Sequence, residues 1–246
     1  MIKILSLDMQ DEVTKHTRKI YQEVKNRDHS LWKKTREIVI EILIIVFAVT
    51  LSIWLHNWSD HREEQKQTDE FLAGIRVDLA KDIQIMDENK EGFILVQRNF
   101  KYLEVLNSTK AVDTIGEQII ANHLDFENRT THANVARYEG FKSNGKIGSI
   151  EDDSLKQAIL LYYQQTIPAV NDEEEIVNSF QVRLMEAEIN RNEAQSMRVL
   201  AKSFKVRALL GFTRQNIGPA IQEYSDAVGQ ARRIINLIDL YLNKGG

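Results

Sequence analysis

Residues 38–55 read Ile-Val-Ile-Glu-Ile-Leu-Ile-Ile-Val-Phe-Ala-Val-Thr-Leu-Ser-Ile-Trp-Leu. Apart from Glu41, this run is apolar on every helical face, which a soluble domain of ordinary size does not need. At about 1.5 Å per residue it covers roughly 27 Å, and continuing to Trp58 reaches the thickness of a hydrocarbon core. It is expected to cross a membrane, with the lipid bilayer as the chain's first partner. Trp32 precedes the run and Trp54 and Trp58 close it, as interfacial aromatics do. Lys33, Lys34 and Arg36 abut its start, whereas the far flank is mixed (Asp60, Arg62, Glu63, Glu64). The positive-inside bias then places the N-terminus in the cytoplasm and residues 60–246 on the other side. No small-residue cleavage site follows the run, so it reads as an uncleaved signal anchor and not as a cleaved signal peptide.

Glu41 is the exception. A carboxylate one turn inside the bilayer is costly, which makes it a candidate for an intramembrane interaction. The competing reading sets it near the cytoplasmic headgroups, where it reaches water, Arg36 or Lys34. The arm before the span, residues 1–36, carries nine Lys/Arg against five acids in a chain of net charge −4. The remainder is therefore acidic, which argues against nucleic-acid binding by the large domain. Sparse apolar positions in the arm (Met9, Val13, Ile20, Val24) fit an amphipathic helix on an anionic leaflet or a partner. They fit a solvated helix or a flexible tail equally well. The arm is too short for a kinase or cyclase output domain.

The expected fold class is all-α: one N-terminal transmembrane helix followed by an antiparallel helical-bundle domain. Its parts are a cytoplasmic arm (1–36), a transmembrane helix (37–58) and a periplasmic helical domain (59–246). Only Pro168 and Pro219 interrupt a composition rich in helix formers, and there is no cysteine. Disulfides, a thiol nucleophile and cysteine-based zinc sites are therefore excluded. Leu72, Ile75, Leu79, Ile83 and Met86 step by three and four, as do Phe93, Val96, Phe100 and Leu103, with a gap at Glu88–Gly92 that predicts a kink or break. A second helix is expected over Asp113–Phe126 with Ile119 and Ile120 inward. Asn128–Ile150 reads as the one irregular region, with a turn at Ser143-Asn144-Gly145. Asp152, Asp153 or Ser154 is expected to cap a helix burying Leu155, Ile159 and Tyr162, which Pro168 ends or interrupts. The next helix is expected to open at Asn171, with Asp172–Glu175 placed for the helix dipole. It would run towards Phe204 and Leu209, turning Ile176, Phe180, Leu184, Ala187, Ala194, Met197, Ala201 and Phe204 inward. Gly218-Pro219 would start the last helix, with the stripe Ile221, Tyr224, Val228, Ala231, Ile235, Ile238 and Leu242.

The inventory of chemistry is thin. There is no glycine-rich phosphate loop, no His-Glu-x-x-His and no nucleophile elbow. The six histidines (His16, His29, His56, His61, His123, His132) are scattered, and His56 and His61 are poorly phased for one metal. Ser143 and Ser149 have no histidine at short range. No enzyme, no cofactor and no metal site is expected.

Glu41-Ile42-Leu43, the apolar run and Asn57-Trp58-Ser59-Asp60 resemble a pattern in a family of uncharacterised single-span proteins common in Bacteroidota. In that pattern Gly-Glu-Ile is followed, seventeen residues after the Glu, by the Trp of Asn-Asn-Trp-Asn-Glu, and Glu41 to Trp58 keeps that interval. The middle of the chain is similar too: Tyr138-x-x-Phe141-x-Ser143-x-Gly145, Ile150, Leu155 and Tyr162-Tyr163. The chain departs at Ile40, Ala48 and His56, where Gly, Gly and Asn are expected; tight glycine-mediated helix packing is thereby put in doubt. The resemblance implies a bacterial inner-membrane anchor with a periplasmic helical domain, gives Glu41 the family's acidic position, and brings no activity. Three functions follow as expectations. The first is a non-enzymatic scaffold or accessory subunit, as a homo-oligomer or within a larger inner-membrane complex. The second is a periplasmic sensor with a pocket lined by Tyr138, Tyr162 or Tyr163, and the third an envelope hydrolase with a clustered site.

Overall fold

The computed structural model describes the backbone of residues 3–124, 126–192 and 195–244, with side chains for 32, 33, 35–124, 126–192 and 195–243. Lys34 and the Met9, Val13, Ile20 and Val24 stripe of the arm lie outside the residues whose side chains are described. Among the described residues all regular structure is helical. The chain divides into two units, Met1–Glu63 and Glu64–Gly246.

Helix α1 (Lys3–Ser108) supplies all the regular structure of the first unit. From residue 35 to 63 its side chains are exposed on every face, including the whole apolar run. By length and composition this helix can cross a membrane. Thr50 donates its hydroxyl to the Val46 carbonyl at 2.7 Å, so its polar group is satisfied within the helix.

In the second unit α1 continues without the expected break at Glu88–Gly92. The reason lies in its core register. Leu72, Ile75, Leu79, Asp82, Met86, Asn89, Phe93, Val96, Phe100 and Leu103 alternate by three and four without a fault, the seven-residue repeat of packed helices. Asp82 and Asn89 occupy two of those positions, so the apolar pattern lapses while the helix does not. Asp82 is buried and Ile83, expected in its place, is only half-buried.

A 3-10 turn (Ala111–Asp113) and helix α2 (Glu117–Asn122) replace the longer helix expected at Asp113–Phe126; Ile120 is buried but Ile119 is exposed. The irregular region is broken by helix α3 (Ala136–Ser143), followed by the expected turn, with Gly145 at φ 72°, and a 3-10 turn (Lys146–Ser149). Helix α4 (Asp153–Leu161) is capped by Asp152, whose carboxylate accepts the Leu155 N–H at 2.9 Å. A π-helical turn (Tyr162–Thr166) leads into helix α5 (Ile167–Ile189), with Pro168 in its first turn. In a regular α-helix Pro168 would clash with the Gln164 carbonyl, and the wider turn relieves that clash. Helix α5 thus opens before Asn171, and Asp172–Glu175 lie inside it, not at its start.

Helix α5 ends at Ile189 instead of running to Leu209; helix α6 (Met197–Lys202) and helix α7 (Phe204–Lys244) follow. The inward face of α5 is Ile167, Val170, Glu174, Val177, Gln181 and Leu184, all buried. Ile176 is exposed, Phe180 and Met197 are half-buried, Phe204 is exposed, and Ala194 lies outside the described residues. Leu184, Ala187 and Ala201 are buried as expected. Helix α7 runs through Gly218-Pro219, both on its solvent face. Its core stripe is Val206, Leu210, Thr213, Ile217, Ala220, Tyr224, Ala227, Ala231, Ile234 and Ile238, again by three and four. Val228 is buried beside the stripe, and Ile221, Ile235 and Leu242 are half-buried at its edges. Helix α7 meets α1 in descending order, Arg76 pairing with Asp239 at 2.6 Å, Asp87 with Arg232 at 3.2 Å and Glu104 with Arg214 at 2.8 Å. It meets the π-helical turn and α5 in the same sense, through Thr166 with Gln230 and Glu174 with Tyr224.

Candidate functional site

Polar core positions of α1 and α5, the latter backed by Tyr224 of α7, hold one stretch of chain, the irregular segment 127–135. Asp82 on α1 accepts the Asn134 backbone N–H at 3.1 Å and its side-chain amide at 2.5 Å. Asn89, one repeat later, donates to the Thr131 hydroxyl at 3.1 Å. From α5, Glu174 accepts the Thr131 N–H at 2.9 Å, and Asn178 brackets Arg129, accepting its N–H at 3.1 Å and donating to its carbonyl at 2.8 Å. From α7, the Tyr224 hydroxyl donates to Glu174 at 2.5 Å. In a segment with no ladder or helix of its own, the Arg129, Thr131 and Asn134 backbone groups are thus satisfied by side chains.

Arg129 lies across α1 at Gly92, where a Cβ would fall 2.0 Å from its Nε, and its guanidinium sits 5.9 Å from the Phe93 ring. Beside the segment, Thr131, His132, Asn171, Glu174, Glu175 and Asn178 line part of a cavity of about 420 Å³. Burial pushes the Asp82 carboxyl above its ordinary range, and the donors on Asn134 offset only part of that. Burial likewise raises Tyr224, with Glu174 adding to it.

The tyrosines named as a possible pocket wall are packed instead. Tyr138 stacks on Tyr163 at 4.4 Å, and Tyr163 meets Tyr162 edge-on at 5.0 Å. All three are buried, and among the described residues the hydroxyls of Tyr162 and Tyr163 have no hydrogen-bond partner. Burial raises both, and Asp82 nearby raises them further.

The remaining sequence candidates are not drawn into this seam. Trp32, Lys33, Arg36, Trp54, Trp58 and Glu41 are exposed on the first unit's helix, with the Arg62 guanidinium 4.9 Å from the Trp58 ring. His56 lies 3.3 Å from Asp60, and His123 packs on Tyr102. Ser149 shares a hydrogen bond with Thr68 at 2.7 Å. Among the described residues no group of three or more His, Asp or Glu is placed to hold a metal ion. Asp82, Asn89, Glu174 and Gln181 were missed because an apolar count skips them. The signal was their phase: each falls on the three-and-four spacing of its neighbours.

A family model described as a family of unknown function, DUF6090, matches residues 38–180. The chain belongs to this family. The DUF6090 segment takes in the apolar run, Asp82, the pinned segment and Glu174, and it ends within α5, leaving α6 and α7 outside. No curated protein and no solved structure matches the chain.

Proposed function

We propose that the chain is a single-pass protein of a bacterial inner membrane, of the kind its residues resemble in Bacteroidota. The arm (1–36) is cytoplasmic, residues 37–58 cross the bilayer, and residues 59–246 form an antiparallel helical bundle in the periplasm. It serves as a non-enzymatic scaffold or accessory subunit, assembled with itself or within a larger inner-membrane complex. One observation carries this: an apolar helix exposed on all sides stands in a chain whose second unit encloses its own apolar stripes. The descending order in which α7 pairs with α1, and with the π-helical turn and α5, supports the antiparallel bundle. The basic residues Lys33 and Arg36 before the run support the orientation.

Alkaline-washed membranes, detergent purification and single-cysteine reporters test it, and a chain without native cysteine makes the reporters clean. The expected result is a chain retained by washed membranes, with a reporter at Gln222 labelled from outside the cytoplasmic membrane and a detergent particle larger than one chain. A soluble chain, a cytoplasmic Gln222 or a lone monomer would each refute the corresponding part.

A further inference from the structure

Helix α7 has a second face that the core does not use. Phe204, Ala208 and Phe212 repeat every four residues beside the buried Val206, Leu210 and Thr213. Against them α5 sets Phe180 and Arg183, and with Lys205 these residues line a groove of about 460 Å³. Phe204 is 81% exposed and Phe212 52% exposed, so the groove presents aromatic surface to solvent. The Phe180 and Phe212 rings stack 6.1 Å apart, and the Arg183 guanidinium lies 5.8 Å from Phe180.

The α6–α7 side of the groove is one-sided in charge. Residues 195–222 contain Arg198, Lys202, Lys205, Arg207 and Arg214 and no acid, in a chain of net charge −4. Lys202 and Arg214 are held by Asp113 at 2.7 Å and Glu104 at 2.8 Å, and Arg198 lies 3.9 Å from Glu117. Arg183 and Lys205, the two cations on the groove, have no ion-pair partner among the described residues. A second copy docked here by two-fold symmetry would set these cations against their own images, which like-charge repulsion opposes. All lining residues except Phe180 lie beyond the DUF6090 segment, so family membership does not account for the groove.

We propose that this groove docks an acidic amphipathic helix of a partner protein, with apolar residues on the phenylalanines and carboxylates on Arg183 and Lys205. Two parallel helix stripes make a furrow that a third helix fits, with anchors spaced by three and four. This rests on the accessory-subunit reading and gives the partner's chemistry.

The test uses the full chain in nanodiscs of zwitterionic lipid. Its probes are two labelled helical peptides of the same leucine pattern, one with glutamates on its polar face and one with lysines, followed by anisotropy. The expected result is binding of the acidic peptide alone, a tenfold or greater loss in Phe204→Ser with Phe212→Ser, and a reversed preference in Arg183→Glu with Lys205→Glu. All four positions are solvent-facing, so unchanged thermal melts by circular dichroism should accompany these effects. Binding of both peptides, or of the acidic one undiminished by the substitutions, would overturn the proposal. So would competition by anionic lipid in the disc, which would give the groove to a membrane surface. A chain that binds neither peptide yet still co-purifies with partners sinks the groove and leaves the subunit reading standing.

Discussion

Glu174 shows how one side chain can hold three pieces of structure. It sits on α5, accepts from the Thr131 backbone and receives the Tyr224 hydroxyl of α7. Glu174→Ala strips the buried Thr131 N–H and the Tyr224 hydroxyl of their shared acceptor, which is expected to cost about 2–4 kcal/mol in urea unfolding. Tyr224→Phe removes one bond and keeps the packing, so about 1 kcal/mol is expected. Equal losses would show that the hydroxyl, not the carboxylate, is the keystone. Asp82 yields a pH dependence instead. Burial raises its folded pKa above the ordinary 3.8, so the folded state binds a proton at a pH where the unfolded chain has released it. Stability from this group is complete below the unfolded value and is lost as pH rises through the folded one. Asp78, Lys81, Tyr162 and Tyr163 also face it, and all remain in the variant Asp82→Asn. That variant should lose stability less steeply than the parent as pH rises across this window; parallel curves of urea midpoint against pH would contradict the assignment.

Helix α7 carries a proline in its interior, on the solvent side, where the Gln215 carbonyl loses its helical donor. Pro219→Ala restores that donor and is expected to stabilise the second unit by about 1–3 kcal/mol in the same unfolding assay. The two glycines of α1 that face arginines should part company. At Gly74 a new Cβ meets the tip of Arg137, an exposed side chain that can swing aside, so Gly74→Ala is expected to gain up to about 1 kcal/mol of helix propensity. At Gly92 it meets the Nε and Cδ of Arg129, whose side chain is mostly buried, and Gly92→Ala is expected to destabilise. The existence of α1, α4, α5 and α7 was legible in their spacing, as were the Gly145 turn and a cap at one of Asp152, Asp153 and Ser154, of which Asp152 serves. The faces were less so, because Asp82, Asn89, Glu174, Gln181 and Thr213 stand at core positions and a count of apolar residues steps around them. In α5 this moved the inferred face to Ile176 and Phe180. The seam itself was not legible, since nothing local in Thr131 or Asn134 announces the carboxylates brought to them from positions 174 and 82.

For the molecule as a whole, the apolar helix is the feature with the largest effect on where the chain goes. Ile44→Asp with Phe47→Asp is expected to move it from the membrane fraction to the soluble fraction, because each charge at mid-bilayer costs about 3 kcal/mol. Helicity by circular dichroism should hardly change, since the core stripes of residues 64–246 are untouched; a variant still retained by washed membranes would contradict the assignment of the span. The three indoles bear on how such variants are followed. Trp32, Trp54 and Trp58 all lie in the unit Met1–Glu63, and residues 64–246 contain none. Intrinsic tryptophan emission therefore reports the polarity around the apolar stretch and is blind to melting of the helical domain, so a flat fluorescence trace in denaturant would coexist with a collapsing helical signal.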